Sequence, residues 1–171
     1  MRLLKQVIIG VVVFSIILLL ISFLLPSRIS VSKTVLINAS HQKVVNALMD
    51  IGNWKNWNPI MQDSTAKYTV ISDRQMDWLS GDGTPNSLQL QQFAPDSIAV
   101  VIRSKDKQVF ASGFTVVGHQ QDSLFTKTEW WIDEHLAWYP WTKFYGLFSE
   151  SFREAYIDNT LQKFKQYIES D

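Results

Sequence analysis

The sequence predicts an α+β fold in which a curved antiparallel sheet holds one long amphipathic helix, with a separate apolar helix near the N-terminus. A run of 19 uncharged residues lies close to the start, short strand patterns alternate with turn residues in the middle, and apolar residues at helical spacing end the chain. In a chain of 171 residues we expect an N-terminal anchor and linker over 1–28 and one folded domain over 29–171.

Residues 7–25 form the apolar run. As a helix this segment would span about 28 Å at about 1.5 Å per residue, close to the thickness of a hydrocarbon core. A buried core helix would carry a polar stripe, and a cleavable signal peptide would have a shorter run before a small-x-small site. Neither is present, because Phe23, Leu24, Leu25 and Pro26 close the segment. We therefore predict a single-pass anchor, with the lipid bilayer as a partner.

The orientation of the anchor follows from the flanking charges. Arg2, Lys5 and the amino terminus precede the span, whereas Arg28 and Lys33 follow it. Positive charge favours the cytoplasmic side. The N-terminus is therefore predicted to be cytoplasmic and the domain extracytoplasmic.

Strand patterns of period two occupy most of the domain before Pro140. A helix capped by Ser40 and ending near Gly52 is expected after the first of them. In the last strand a covered face is predicted, formed by Leu124, Thr126, Thr128, Trp130 and Ile132. The predicted strands are 29–38, 67–71, 75–80, 87–93, 97–103, 108–117 and 123–133.

Beyond Pro140 the apolar period becomes helical. We expect a short helical piece around 142–148, followed by a final helix of about 20 residues. Its apolar stripe contains Phe152, Tyr156, Leu161, Phe164 and Ile168.

Composition excludes several classes of function. Basic and acidic residues balance at 16 each, and without Arg2 and Lys5 the domain has 14 basic against 16 acidic residues, so no nucleic-acid partner is expected. The chain has no cysteine, and its histidines, His41, His119 and His135, are not at metal-ligand spacing. No metal, cofactor or catalytic motif is predicted. The run 133–135 could place a carboxylate beside an imidazole, but a solvated strand end is the simpler interpretation.

Several short motifs resemble a known family. The first group is Val35-x-Ile37-x-Ala39, Val44-Val45, Leu48-x-Asp50-Ile51 and Trp54-x-x-Trp57-Asn58-Pro59, and the second is Thr128-Glu129-Trp130 and Thr160-Leu161-x-x-Phe164-Lys165. Together they resemble START-like (SRPBCC) domains of the polyketide cyclase/dehydrase and lipid-transport group. The resemblance implies a helix-grip fold, with an apolar cavity between sheet and C-terminal helix that holds a lipid or another apolar molecule. Relatives often have glycine where this chain has Thr160, and the aromatic run 135–141 is unusual, so the ligand is not carried over.

The candidate cavity lining comes from both faces that the fold would bring together. It comprises Met76, Trp78, Leu90, Phe114 and Trp130 from the sheet and Phe152 and Tyr156 from the helix. The same residues could form a solid core, and the sequence leaves both interpretations open. Trp54 and Trp57 could rim the pocket or lock helix to sheet. The run 138–141 could dip into lipid headgroups or pack as a link over the sheet end.

Three functions remain open at this stage. The first is a membrane-tethered binding domain for a hydrophobic small molecule or lipid. The second is a cyclase- or hydratase-like enzyme in the same cavity, with Tyr156 or a nearby acid as proton donor. The third is a solid interaction domain that offers its surface to a membrane protein, whose identity the sequence does not indicate.

Overall fold

The computed structural model describes residues 2–62, 67–105, 107–118 and 125–170. Its helices are α1 (Arg2–Leu24), α2 (His41–Leu48), α3 (Pro59–Gln62) and α4 (Pro140–Ser170), with a 3-10 helix at Ile51–Asn56. Its strands are β1 (Arg28–Ile37), β2 (Tyr68–Ser72), β3 (Gln75–Leu79), β4 (Pro85–Ala94), β5 (Ser97–Ser104), β6 (Lys107–Gln108), β7 (Ala111–Gly118) and β8 (Thr126–His135).

The strands form one antiparallel sheet in the order β1-β8-β7-β5-β4-β3-β2, and the short β6 pairs with β5. Pairing of β1 with β8 joins the two ends of the domain, and α4 packs against β1. The α+β helix-grip prediction is therefore confirmed: an antiparallel sheet with one long C-terminal helix, preceded by an apolar helix.

The faces of the first and last strands follow the predicted alternation. On β1 the buried residues Ile29, Val31, Val35 and Ile37 share one face, with the half-buried Lys33 between them. On β8 the covered face is confirmed from Thr126 to Ile132, whereas Leu124 lies outside the described residues. Side chains of a strand point alternately to opposite faces, so a period of two buries one complete face.

The α2 segment begins as predicted but ends earlier. The hydroxyl of Ser40 accepts a hydrogen bond from the backbone N–H of Lys43 at 3.4 Å, which caps the helix. The helix ends at Leu48 instead of near Gly52. From Ile51 the chain forms the 3-10 helix. The N–H of Ile51 donates to the carbonyl of Asp73 at 2.8 Å, so it does not make the hydrogen bond that would continue α2.

The C-terminal helix is continuous, which corrects the prediction of a short piece followed by a separate helix. α4 runs for 31 residues without interruption. No proline follows Pro140 to break it. Gly146 lies inside the helix where an added Cβ would come within 2.4 Å of Leu136 and 3.1 Å of Ile29, so the glycine allows α4 to approach the start of the domain closely.

The apolar helix α1 stands outside the core. The segment Leu3–Leu24 is long and apolar enough to cross a membrane, and most of its large side chains are exposed. This exposure excludes the core-helix interpretation. Two hydrogen bonds join its end to the start of α4: the Ser22 hydroxyl donates to the carbonyl of Trp138 at 3.3 Å, and the Lys143 ammonium donates to the carbonyl of Leu25 at 3.1 Å.

Candidate functional site: an apolar cavity beside the C-terminal helix

A cavity of about 1210 Å³ lies between strands β2–β5 and β8 on one side and the 3-10 helix with α3 on the other. Helix α4 contributes Tyr156 to its wall, and the buried residues of α4 do not line the cavity. The 3-10 helix and α3 therefore supply more of the wall than α4, whereas the sequence placed the cavity between the sheet and the C-terminal helix.

Four of the seven predicted lining residues lie on the wall of this cavity: Met76, Trp78, Trp130 and Tyr156. They come from β3, β8 and α4, so the fold brings together side chains that are 80 residues apart in the chain, from 76 to 156. Contact of these side chains with a ligand stays a prediction.

The other three predicted lining residues are elsewhere. Leu90 and Phe114 are buried in the solid core beside the cavity. Phe152 is 77% exposed. It precedes the buried Ile157 by five residues, and at about 100° per residue this places its side chain about 140° from the buried face of α4. The predicted stripe combined residues from two different faces of the helix.

A connected set of rings joins three wall residues, Trp54, Trp130 and Tyr156, to Phe114 in the core behind them. Ring centroids are 6.2 Å apart for Trp54 and Phe114, 5.0 Å for Phe114 and Trp130, and 5.7 Å for Trp130 and Tyr156. The indole N–H of Trp130 donates to the hydroxyl of Ser112 at 3.0 Å, which fixes the orientation of that ring. Packed ring pairs add stabilisation beyond their buried area, so these contacts help to hold this part of the wall in place.

The two tryptophans near the first helix have different roles. Trp57 is buried and packs on Phe164 of α4, with centroids 4.8 Å apart, so it locks the 3-10 helix to α4. Trp54 is also buried, and its indole N–H donates to the carbonyl of Leu48 at 2.9 Å. Its ring nevertheless reaches the cavity wall. Trp54 packs on Phe114 of the sheet and also reaches the cavity, whereas Trp57 packs on α4 and not on the sheet as expected.

Several wall residues were not predicted from the sequence. Leu88, Val100 and Ile102 lie on strands whose pattern was identified, so alternation could have selected them. Met61 belongs to α3, a helix of four residues with no periodic signal of its own. Its position on the wall depends on the tertiary path of the loop after Trp57.

The wall is mainly apolar and includes a few polar groups. Lys67, Asp77, Asn86 and Arg103 are among the residues that line the cavity. These side chains give the site two cationic groups and one carboxylate. An occupant with an apolar body and a polar or anionic head fits such a wall better than a purely hydrocarbon molecule.

Tyr156 is a half-buried titratable group on the wall of the site. Its hydroxyl donates to the Asn58 side-chain oxygen at 3.3 Å. Burial raises the pKa of this phenol, and hydrogen bonds involving Thr160 and Asn58 offset part of the rise. The hydroxyl is therefore neutral at physiological pH, where it can donate or accept a hydrogen bond.

The acidic run at the end of β8 is engaged elsewhere. Asp133 forms an ion pair with Arg28, whose Nε donates to Oδ1 at 2.6 Å, and Glu134 forms an ion pair with Arg153. The hydrogen bond from Arg28 lowers the pKa of Asp133. These carboxylates do not line the cavity. Within the described ranges, no three side chains of metal-ligating type form a group that could hold an ion.

No family model matches the sequence, and no curated protein matches it. Solved structures with a similar fold include TTHA0849 from Thermus thermophilus, at a TM-score of 0.58 and 9% identity over 82% of this chain and 97% of that chain. An uncharacterized protein from Bacillus thuringiensis has a TM-score of 0.54 and 14% identity over 81% of this chain and 98% of that chain. Ms6760 from Mycobacterium smegmatis has a TM-score of 0.54 and 12% identity over 83% and 92%. These similarities show the fold alone.

Proposed function

We propose that this chain is a membrane-anchored, START-like domain that binds a hydrophobic small molecule or lipid. The observation that carries the proposal is the cavity of about 1210 Å³ beside the domain core. Pockets for small molecules usually have volumes of about 300–1,000 Å³. A space of this size, lined mainly by apolar side chains, supports occupation by a large apolar ligand.

The driving force for such binding is removal of apolar surface from water, at roughly 25 cal/mol per Å² buried. Trp54, Met76, Leu88 and Trp130 supply apolar wall. Lys67 is exposed and Arg103 is half-buried on this wall, so their cations favour a ligand with a polar or anionic head that stays near solvent. We infer an amphiphile, such as a fatty acid or a lipid.

We further propose that α1 crosses a bilayer, with the N-terminus in the cytoplasm and the domain on the opposite side. The length and apolarity of Leu3–Leu24 support the crossing, and the charges before and after it support the orientation. A domain held at a bilayer would meet its lipid ligand at high local concentration.

The second candidate is a cyclase- or hydratase-like enzyme that uses Tyr156 as proton donor. The half-buried hydroxyl of Tyr156 on the cavity wall is the observation that favours it. Its raised pKa makes this phenol a weaker acid, which favours a positioning hydrogen bond over proton transfer. Binding without chemistry is therefore the preferred function.

Photocrosslinking of the full chain in lipid nanodiscs tests the binding proposal. A diazirine-bearing fatty acid should label peptides of the cavity wall, and labelling of α1 serves as an internal control for probe in the membrane. Ile102→Trp fills space on the wall and should reduce labelling of the cavity peptides several-fold. Leu36→Trp, at an exposed position off the wall, is the matched control and should leave it unchanged. Labelling confined to α1 in the unsubstituted chain would refute the proposal.

A further inference from the structure

Five aromatic residues at the start of α4 form an exposed surface that we call the aromatic stripe. The members are Trp138, Trp141, Tyr145, Phe148 and Phe152, and each is between 63% and 77% exposed. Their spacing of three, four, three and four residues places those inside the helix on one face. This face is directed away from the sheet, because Gly146 and Ser149 occupy the buried side of the same turns.

The area of the aromatic stripe is large for a domain surface. An aromatic side chain has about 150–250 Å² of surface, so five rings exposed by about two thirds present roughly 500–850 Å². Contiguous apolar patches of more than a few hundred Å² on soluble proteins usually mark an interaction site. A second groove, of about 390 Å³, continues the aromatic stripe past Phe148 and Phe152 to Tyr156.

The chain segment that carries most of the aromatic stripe has little charge. Between Trp138 and Ser149 the one charged residue is Lys143. Lys143 is buried, and its ammonium donates to the carbonyl of Leu25 at the end of α1. Its cation therefore faces α1 and the carboxyl end of that helix, which attracts positive charge. Charged residues resume only at Glu150, where the stripe is ending.

The aromatic stripe begins where α1 ends. The carbonyl of Trp138 accepts a hydrogen bond from Ser22, in the last turn of α1, and Leu18 of α1 is half-buried although most of its neighbours are exposed. Leu18 precedes Leu24 by six residues, about 9 Å along a helix. Parts of the domain therefore overlap the last turns of the apolar helix, at the level where a bilayer surface would lie.

We propose that the aromatic stripe lies in the interfacial layer of the bilayer that α1 crosses, so that the first half of α4 rests on the membrane surface. This inference depends on the membrane anchorage proposed above. Three features match the interface, where such rings are enriched: continuity with the end of α1, the low charge of the segment before Glu150, and the Trp and Tyr at the end nearest α1. Of the two interpretations of 138–141 from sequence, the proposal adopts the membrane contact and extends it along α4 to Phe152.

Labelling at single cysteines tests this placement, since the native chain has no cysteine. The full chain would be reconstituted into phosphatidylcholine–phosphatidylglycerol vesicles with the environment-sensitive fluorophore NBD at Phe148→Cys or Phe152→Cys. Phe93→Cys, on β4, is the matched control, because Phe93 is also exposed but lies outside the stripe. Ile16→Cys, within α1, reports insertion of the anchor. Quenching by lipids with spin labels at shallow and deep acyl positions is then measured at each site.

At both positions of the aromatic stripe we expect blue-shifted emission and quenching by the shallow label at least about fivefold stronger than at position 93. Quenching at Ile16→Cys with none at Phe148→Cys and Phe152→Cys would overturn the inference and leave the anchor intact. A blue shift at Phe148→Cys without lipid quenching would overturn it in favour of a protein partner or second copy. Loss of quenching at Ile16→Cys would overturn the anchorage and the placement of the stripe together. The photocrosslinking experiment tests ligand binding in the cavity independently of these quenching results.

Discussion

Two phenylalanines on the same helix offer a matched test of how α4 is docked. Phe164 is fully buried and packs on the ring of Trp57 at 4.8 Å, whereas Phe152 is 77% exposed. The sequence pattern placed both on one apolar stripe. The structure places them on different faces, so truncation of each to alanine should have very different effects on the free energy of unfolding.

The expected cost at Phe164 follows from its contacts. Full burial of a phenylalanine side chain contributes about 1.5–3 kcal/mol. The ring pair adds about 0.5–1.5 kcal/mol, and the cavity left behind raises the total, so Phe164→Ala should cost about 3–5 kcal/mol. That is a large fraction of a domain stability of about 5–15 kcal/mol. Phe152→Ala removes little buried surface and should change stability by less than about 0.5 kcal/mol.

Urea unfolding of the full chain in a mild non-ionic detergent, followed by circular dichroism, measures both values under one condition. The midpoint should fall steeply for Phe164→Ala and remain near that of the unsubstituted chain for Phe152→Ala, with similar slopes. Equal losses for the two variants would refute the orientation of α4, and with it the assignment of Phe152 to the outer face.

Two smaller predictions concern the sheet. Gly113→Ala should destabilise the domain by about 1–3 kcal/mol in the same assay, because the added Cβ would lie 2.6 Å from the carbonyl oxygen of Ile98. Gly81→Ala is the control and should have little effect, since no atom lies within 4 Å of its added Cβ. Equal effects of the two substitutions would contradict the close strand contact. Asp133→Asn should remove a pH-dependent contribution to the free energy of unfolding. Arg28 lowers the pKa of Asp133 in the folded state, so the ion pair stabilises the domain fully above the unfolded pKa of about 3.9. This stabilisation disappears as the pH falls through the lower folded pKa. Thermal unfolding midpoints from neutral to acidic pH should show the two proteins converging, and a constant difference would argue against the ion pair.

Local patterns predicted most of the secondary structure. Alternation placed β1 and β8 and their buried faces, because a sheet with one covered side forces a period of two. The serine at position 40 predicted the start of α2, since its hydroxyl can satisfy a free N–H of the first turn. The end of α2 was less predictable. The 3-10 helix that replaces its last turn depends on a hydrogen bond from Ile51 to Asp73, a contact made across 22 residues of sequence, from 51 to 73.

The candidate site was predicted less completely for a physical reason. A hydrophobic pattern shows that a side chain is apolar and on a given face, but a filled core and a lined cavity require the same pattern. Leu90 and Trp78 therefore looked equivalent in the sequence, although Leu90 packs in the core and Trp78 faces the hollow. Met61 lies on the wall because of the tertiary path of the loop after Trp57, which no hydrophobic periodicity in the sequence predicts.

Helix α4 explains why Phe152 was assigned to the wrong face. Its second half is apolar toward the sheet, through Ile157, Leu161 and Phe164, as expected for a helix docked on a domain. Its first half is apolar outward and instead turns small or buried polar residues toward α1 and β1, among them Gly146. The apolar residues of α4 therefore change from its outer face to its inner face near Tyr156. Such a reversal would be unfavourable for a helix surrounded by water, since it exposes the larger rings and buries the smaller residues. It is favourable if the first half of α4 meets lipid, and the quenching experiment distinguishes these environments.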